Sequence, residues 1–86
     1  MAHSFIVRLT DDITLVLDRV RSSITGNGGK FEGDAEGGSF EGKTVVGMIK
    51  GEYRYVAANE IKITIIHKPF IVPYGSIESE IRQYFS

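Results

Sequence analysis

A short glycine-bounded unit, Gly-x-[Phe or Ile]-[Glu or Lys]-Gly, occurs three times within residues 29–51. The copies begin at Gly29, Gly38 and Gly47, so they recur every nine residues. In a β-strand, alternate side chains point to opposite faces, so each copy places glycine, one large apolar residue and glycine on the same face. The repeat therefore predicts three consecutive short strands, whose apolar face carries Phe31, Phe40 and Ile49.

Two further strands are predicted, one before the repeat and one after it. Residues 4–9 alternate in polarity and predict the first strand. The third repeat continues into a longer strand, which turns at 57–59 into the last one. The connections at 34–37 and 43–46 have hairpin length, so neighbouring strands are predicted to be antiparallel. The last strand places three isoleucines on one face: Ile61, Ile63 and Ile65.

Two segments carry apolar residues at helical spacing. The first predicted helix follows Thr10 and Asp11, whose side chains are expected to accept hydrogen bonds from its first amides, and Asp11 and Asp12 complement the positive end of its dipole. The glycines and asparagine at 26–29 tolerate the left-handed conformation that ends a helix. The second predicted helix runs to the C-terminus with Ser76 as its N-cap. Their apolar stripes are Ile13, Val16, Leu17, Val20 and Ile24, and Ile77, Ile81, Tyr84 and Phe85.

These elements predict an α+β protein with one domain over residues 1–86. The predicted order is β-α-β-β-β-β-α, with a curved, antiparallel, five-stranded sheet and both helices on one face. Glycines at the ends of each repeat let the sheet bend and a helix approach closely. Between Pro69 and Pro73, residues 70–72 are predicted to be extended, because proline disfavours the helical region for the preceding residue. The order is similar to the TATA-binding-protein-like and helix-grip folds, a likeness that implies fold alone.

The composition excludes several classes of protein. Ten basic and eleven acidic residues leave a net charge of −1, so no global field attracts nucleic acid or an anionic bilayer. The chain has no cysteine, hence no disulfide and no thiolate metal site, which fits a reducing cytoplasm. No apolar run approaches the roughly 20 residues that cross a bilayer, and the first residues do not predict a signal peptide. We expect a cytoplasmic protein with no membrane span and no nucleic-acid partner.

Few side chains have a spacing that predicts chemistry. Asp34 and Glu36 are too few to hold a hard cation and are interpreted as a solvated hairpin tip. The glycines at 26–29 follow a helix, whereas a phosphate loop precedes one. Neither His3 nor His67 has a serine or carboxylate at a spacing that identifies a partner. We therefore predict no catalytic residue, no metal site and no cofactor.

The apolar face of the sheet supplies the candidate ligand-binding residues. Tyr53 and Tyr55 share its parity and are interpreted as core side chains or, if a cavity exists, as its polar lining. His67 continues the parity of Ile65, so it is expected to look inward at the end of the sheet. The opposite face carries charges of both signs, which predicts cross-strand pairing on a solvated surface. The candidate set is Tyr53, Tyr55, His67, Phe31 and Phe40.

Several residues of the last half of the chain carry a family resemblance: Gly47, Gly51, Lys68-Pro69-Phe70 and Ile77-Glu78-Ser79-Glu80-Ile81. With these residues the chain resembles the small bacterial polyhydroxyalkanoic-acid-system family, also described as granule-region proteins. The resemblance implies an association with storage-polymer granules or their metabolism, and it carries over no catalytic residue. A related, uncharacterised bacterial family with the same element order is the alternative.

Three functional hypotheses follow. The first is a non-enzymatic binding or accessory module that grips an apolar small molecule between sheet and first helix, or docks on a protein partner or a granule. The second is an enzyme that uses Tyr53, Tyr55 or His67 in a pocket. The third, nucleic-acid binding through the outer sheet face, rests on fold analogy and is disfavoured by the mixed charges. Unpaired sheet edges also allow a homodimer.

Overall fold

The computed structural model of the chain describes residues 3–44, 47–57 and 59–85. The elements are β1 (His3–Arg8), α1 (Ile13–Gly26), β2 (Lys30–Gly33), β3 (Gly37–Thr44), β4 (Gly47–Ala57), β5 (Glu60–His67) and α2 (Tyr74–Phe85). The predicted α+β class and element order are confirmed. The predicted turn positions 45, 46 and 58 lie outside the described residues. In the described part of the chain, neither helix is long and apolar enough to cross a membrane.

The five strands form one sheet in the order β1-β5-β4-β3-β2, and every neighbouring pair is antiparallel. The sheet therefore has two distinct ends. The lower end holds the starts of β1, β2 and β4 and the ends of β3 and β5. The upper end holds the turn at 34–36 and the turn between β4 and β5. Because α1 follows β1, it starts at the upper end, whereas α2 follows β5 and starts at the lower end.

The register brings the three glycine repeats side by side. Phe31 pairs with Phe40, which pairs with Gly51 on β4. Gly38 pairs with Tyr53 in the next row. The apolar residues of the repeats therefore share one face, as predicted, and we call it the inner face. Phe31 and Phe40 are buried, and Ile49 is partly buried against the same core.

Both helices pack on the inner face. Their buried residues belong to the same hydrophobic cluster as the inward residues of β1, β4 and β5. α1 contributes Val16, Leu17 and Val20, and α2 contributes Ile77, Ile81 and Phe85. The predicted stripes are confirmed except at Tyr84, whose side chain is 38% exposed. The sheet contributes Phe5, Val7, Phe31, Phe40, Tyr53, Ile61, Ile63 and Ile65.

The two ends of α1 differ in how well they were predicted. At the C-terminus, Gly29 N donates to Ile24 O at 2.9 Å and Gly28 N donates to Thr25 O at 3.1 Å. Gly28 has a φ of +84°, so this is the glycine-dependent helix end that the sequence predicts. At the N-terminus, Asp12 is the N-cap but its side chain makes no capping hydrogen bond. The expected capping by the side chains of Thr10 and Asp11 is therefore wrong, since the N-cap position belongs to Asp12.

The segment that leads into α2 also corrects the prediction. Residues 69–72 form a turn, because Val72 N donates to Pro69 O at 3.1 Å, and they are not extended. α2 begins at Tyr74, so Ser76 lies inside its first turn and is not the N-cap. Proline restricts the residue before it, but Phe70 and Ile71 do not precede a proline directly and are free to turn.

Candidate apolar ligand groove

A groove of about 440 Å³ lies between α1, α2 and the lower end of the sheet. Gly42 of β3 forms part of its floor, and Val72 of the turn before α2 lies at its edge. The volume falls within the range of small-molecule pockets, which are concave and mostly apolar with a few polar groups. Its apolar lining comes from four elements: Ile24, Phe40, Ile49, Ile77, Ile81 and Phe85.

The groove exists because glycine leaves part of the inner face unfilled. A Cβ added at Gly42 would meet no atom within 4 Å. Gly51, on the neighbouring strand, differs: a Cβ there would lie 2.6 Å from the ring of Phe40, so the aromatic ring already occupies that space. Gly29 lets the end of α1 lie against β3, since its Cβ would lie 2.5 Å from Glu41 O. One glycine of the third repeat is therefore covered, and one of the second is open.

The polar residues that line the groove come from α2, from β3, where they are Glu41 and Lys43, and from the end of α1. Ser76, Glu80 and Tyr84 line the groove and are spaced four residues apart, so they share one face of α2, which forms the lip of the groove. Asn27 lines the opposite side, and its amide donates to Ser23 O at 2.8 Å. These groups can orient the polar end of a ligand, while the floor accepts its apolar part.

Tyr53 is a core residue and does not line the groove. Its side chain is 3% exposed, and its hydroxyl donates to Asp34 O at 2.8 Å. The ring stacks on Phe31 with a centroid separation of 5.5 Å. Burial raises the pKa of Tyr53 above its usual value, and the nearby Asp34 carboxylate raises the pKa further. Of the two interpretations of Tyr53, the structure supports the core side chain with a local hydrogen-bond partner.

Tyr55 and His67 lie at opposite ends of the sheet. Tyr55 is 38% exposed at the upper end, and its hydroxyl accepts a hydrogen bond from Asn59 N at 3.3 Å. His67 is exposed at the lower end. A register shift pairs Gly51 with Ile65 but Lys50 with His67, so β5 has one extra residue there. Such a bulge breaks the alternation of side chains, and the expected inward position of His67 is wrong.

The two predicted phenylalanines have different roles. Phe40 lines the groove and lies 6.3 Å from Phe85 of α2, measured between ring centroids. Phe31 lies outside the groove, with Tyr53 on one side and the guanidinium of Arg21 5.3 Å from its ring centroid. The structure therefore brings one of the five predicted site residues, Phe40, to the groove.

The sequence reasoning missed the contribution of α2. Its signal was present: Ser76, Glu80 and Tyr84 have helical spacing beside the predicted apolar stripe. Gly42 is the closing glycine of the second repeat, but the repeat does not predict which glycines are covered by neighbouring side chains. Only the packing of the two helices distinguishes them.

A small charged cluster connects β1 with α2, and its residues do not line the groove. His3 Nε2 lies 3.2 Å from Glu78 Oε1, and Arg82 Nε donates to Glu78 Oε2 at 3.2 Å. The hydrogen bond with His3, followed by that with Arg82, lowers the pKa of Glu78 below its usual value. The ring of His3 also stacks on Tyr74 at 4.6 Å. These contacts tie β1 to α2 on the side away from β3.

The outer sheet face carries a polar depression of about 700 Å³. Its lining includes Glu32, Glu52, Arg54 and Lys62, which have both signs of charge. The mixed-charge surface predicted from the sequence is therefore present on this face. A second polar feature, the carboxylate of Asp34, accepts hydrogen bonds from the amides of its own turn at 2.9 and 3.3 Å.

Within residues 3–44, 47–57 and 59–85, no group of three or more histidine, aspartate or glutamate side chains is placed to hold a metal ion. Comparisons of the chain with protein-family models, with curated proteins and with solved structures gave no match. The geometry of the groove is therefore the basis on which a function is proposed.

Proposed function

We propose that the chain is a small, non-enzymatic binding module that holds an apolar small molecule in the groove between its two helices and the sheet. The observation that carries the proposal is the open space above Gly42, which a packed scaffold would fill. The groove has an apolar floor and a polar lip on α2, the arrangement that small-molecule sites use for affinity and orientation.

The size and position of the groove favour a compact or single-chain ligand. The described groove takes about 440 Å³, near the lower end of the usual range for ligand sites. Glu80 and Tyr84 lie on its lip, so the polar end of such a ligand would face α2 while its apolar part contacts Phe40 and Ile49.

Binding of an environment-sensitive apolar probe tests the proposal. Wild-type protein is expected to enhance the fluorescence of a naphthalene-sulfonate or fatty-acid probe, and unlabelled apolar competitors are expected to displace it. Native mass spectrometry of the purified protein supplies a second readout, because a co-purifying ligand adds mass.

A matched pair of glycine variants locates the site. Gly42→Leu fills the groove from its floor and is expected to weaken probe binding at least about tenfold, since the apolar volume is removed from the ligand. Gly75→Leu is the control, because its Cβ also meets nothing within 4 Å but Gly75 does not line the groove. No probe binding by the wild type, or equal loss in both variants, would contradict the proposal.

The accessory role on storage granules is a separate form of the same proposal. Its only support is the resemblance carried by Gly47, Gly51, Lys68-Pro69-Phe70 and residues 77–81. Co-sedimentation with purified polyhydroxyalkanoate granules tests it, with an unrelated protein of similar size as the control. Absence of the chain from the granule pellet would remove this form and leave the ligand groove untouched.

A further inference from the structure

The turn before α2 presents two large apolar side chains to solvent. Phe70 is 95% exposed and Ile71 is 72% exposed, the highest values among the large hydrophobic residues that the structure describes. They occupy the central positions of the turn that Pro69 and Val72 close. We call this pair the apolar tip.

The apolar tip is held in place by contacts below it. Lys68 Nζ donates to Pro69 O at 3.3 Å and to Phe70 O at 3.5 Å. The same ammonium lies 4.9 Å from the ring centroid of Tyr74. On the other side, a Cβ on Gly47 would lie 2.9 Å from Pro69 Cγ, so β4 and the turn are in close contact. The turn therefore has a defined orientation with its tip outward.

Lysines surround this end of the sheet. Of the five lysines in the chain, four belong to the lower end: Lys30 starts β2, Lys43 lies near the end of β3, Lys50 lies near the start of β4, and Lys68 follows β5. The remaining lysine, Lys62, lies near the upper end and pairs with Arg54.

Acidic side chains are fewer on this side of the sheet. Glu41 pairs with Lys30 and with Lys50 in the register. Glu78 on α2 is engaged by His3 and Arg82, and Glu80 lies on the lip of the groove. The strands at the lower end therefore carry an excess of basic residues, although the chain as a whole has a net charge of −1.

From this combination we propose that the lower end of the sheet docks on an anionic lipid surface, with Phe70 and Ile71 inserted among the lipid chains and Lys43, Lys50 and Lys68 at the headgroups. Surface binding of this kind depends on buried apolar area together with attraction between basic residues and anionic lipids. The lower end of the sheet meets both requirements, with two exposed apolar side chains and four lysines.

A protein partner fits the same surface less well. Protein interfaces of ordinary size bury about 800 Å² on each side and are depleted in lysine. The tip offers two apolar side chains, and the residues around it include three of the five lysines in the chain. A second copy of the chain would bring lysines against lysines, which like-charge repulsion opposes.

The apolar tip lies outside the proposed ligand groove, because Phe70 and Ile71 do not line it, whereas Lys43 lines the groove and belongs to both proposed surfaces. The two nevertheless lie at the same end of the molecule, and Val72 belongs to both the turn and the groove edge. A ligand that partitions into lipid would therefore lie near the groove of a docked molecule.

Flotation with lipid vesicles tests the docking proposal. The 86-residue chain is expected to float with vesicles of phosphatidylcholine containing about 30% phosphatidylglycerol and to remain behind with pure phosphatidylcholine. Binding is expected to fall as sodium chloride rises from 50 to 500 mM, because salt screens the attraction between lysines and headgroups.

Two pairs of variants separate insertion from charge. Phe70→Ser with Ile71→Ser is expected to weaken binding at least about tenfold through lost apolar burial, while Leu15→Ser, at a residue 61% exposed on α1, leaves it unchanged. Lys43→Gln with Lys50→Gln is expected to weaken binding about fivefold per lysine, while Arg54→Gln with Lys62→Gln has a smaller effect.

Circular dichroism tests whether each variant folds. We expect folding to be preserved, because the substituted side chains are exposed. Salt-independent binding to neutral and anionic vesicles alike would overturn the proposal, as would equal effects of the two members of either pair. A third outcome would also overturn it: no vesicle binding, together with a self-association in sedimentation velocity that Phe70→Ser abolishes. That result would assign the tip to a contact between copies.

Discussion

Each end of β3 has a glycine on the inner face, but the space beside that glycine is filled at one end and open at the other. Near the upper end, a Cβ on Gly38 would meet Glu32 O and would lie 2.7 Å from Tyr53 Cε1, so no room remains. Near the lower end, four residues later on the same face, a Cβ on Gly42 would meet nothing within 4 Å. The first glycine is packed beneath an aromatic ring, and the second forms the floor of a groove.

The difference lies in the neighbours and not in the strand. Gly38 pairs with Tyr53, a large side chain that fills the space and bonds to the carbonyl of Asp34. Gly42 pairs with Ile49, which is only partly buried, and the ends of the two helices above it leave the space open. A repeated sequence therefore gives repeated backbone geometry, while cavities depend on what the rest of the chain places above it.

The largest effect is expected for Gly38→Ala. Its methyl group would contact backbone atoms of β2 as well as the Tyr53 ring, so the strands must shift. Overpacking of this kind costs about 2–3 kcal/mol of unfolding free energy. Urea denaturation followed by circular dichroism measures it; a loss below about 0.5 kcal/mol would show that the upper end is looser than its contacts indicate.

Tyr53→Phe is expected to have an intermediate effect. The substitution keeps the ring that covers Gly38 but removes the hydroxyl that donates to Asp34 O. A lost hydrogen bond of this type lowers the unfolding free energy by about 1 kcal/mol. The same urea experiment tests the prediction, and Tyr55→Phe is the control because Tyr55 is 38% exposed. An equal loss in both variants would contradict it.

Gly42→Ala is expected to raise the unfolding free energy by about 0.5 kcal/mol, the opposite sign from Gly38→Ala. Alanine restricts the unfolded chain more than glycine does, and the structure offers room for its methyl group. Denaturation of the two variants side by side sharpens the comparison of the two ends. Destabilisation by more than about 1 kcal/mol would indicate that the groove is filled in solution.

The smallest expected effect is the raised pKa of Tyr53. The raised pKa of Tyr53 means that the folded state favours the neutral phenol, so its contribution to stability is complete below the usual tyrosine pKa of about 10 and is lost as the pH rises above it. The difference in absorbance at 295 nm between wild type and Tyr53→Phe isolates the titration curve of Tyr53, and its midpoint is expected to lie above the usual tyrosine pKa of about 10. A midpoint at or below about 10 would contradict the prediction.

Several parts of the fold were predictable from local patterns. The nine-residue repeat predicted the shared face of Phe31, Phe40 and Ile49, and the alternation in β5 predicted the burial of its isoleucines. These predictions succeeded because strand and helix periods depend on neighbouring residues alone.

The wrong predictions concern a bulge, where one extra residue shifts the strand register, and a turn that replaces a predicted extended segment. One extra residue near the end of β5 moved His67 to an exposed position opposite Lys50. Residues 69–72 turn and expose Phe70, although the flanking prolines favoured an extended chain. Neither a bulge nor a turn of this kind has a strong sequence signal, since each is selected by pairing and packing elsewhere.

The sequence by itself determined the element order, the inner face and the absence of cysteine chemistry, because these follow from residue identity and short-range periodicity. Tertiary structure alone decided that Tyr53 closes one end of the inner face, that Gly42 remains uncovered at the other, and that four lysines scattered from 30 to 68 meet at one end of the sheet. The physical reason is that empty volume and local charge are set by residues distant in the chain, which antiparallel pairing and helix packing bring together.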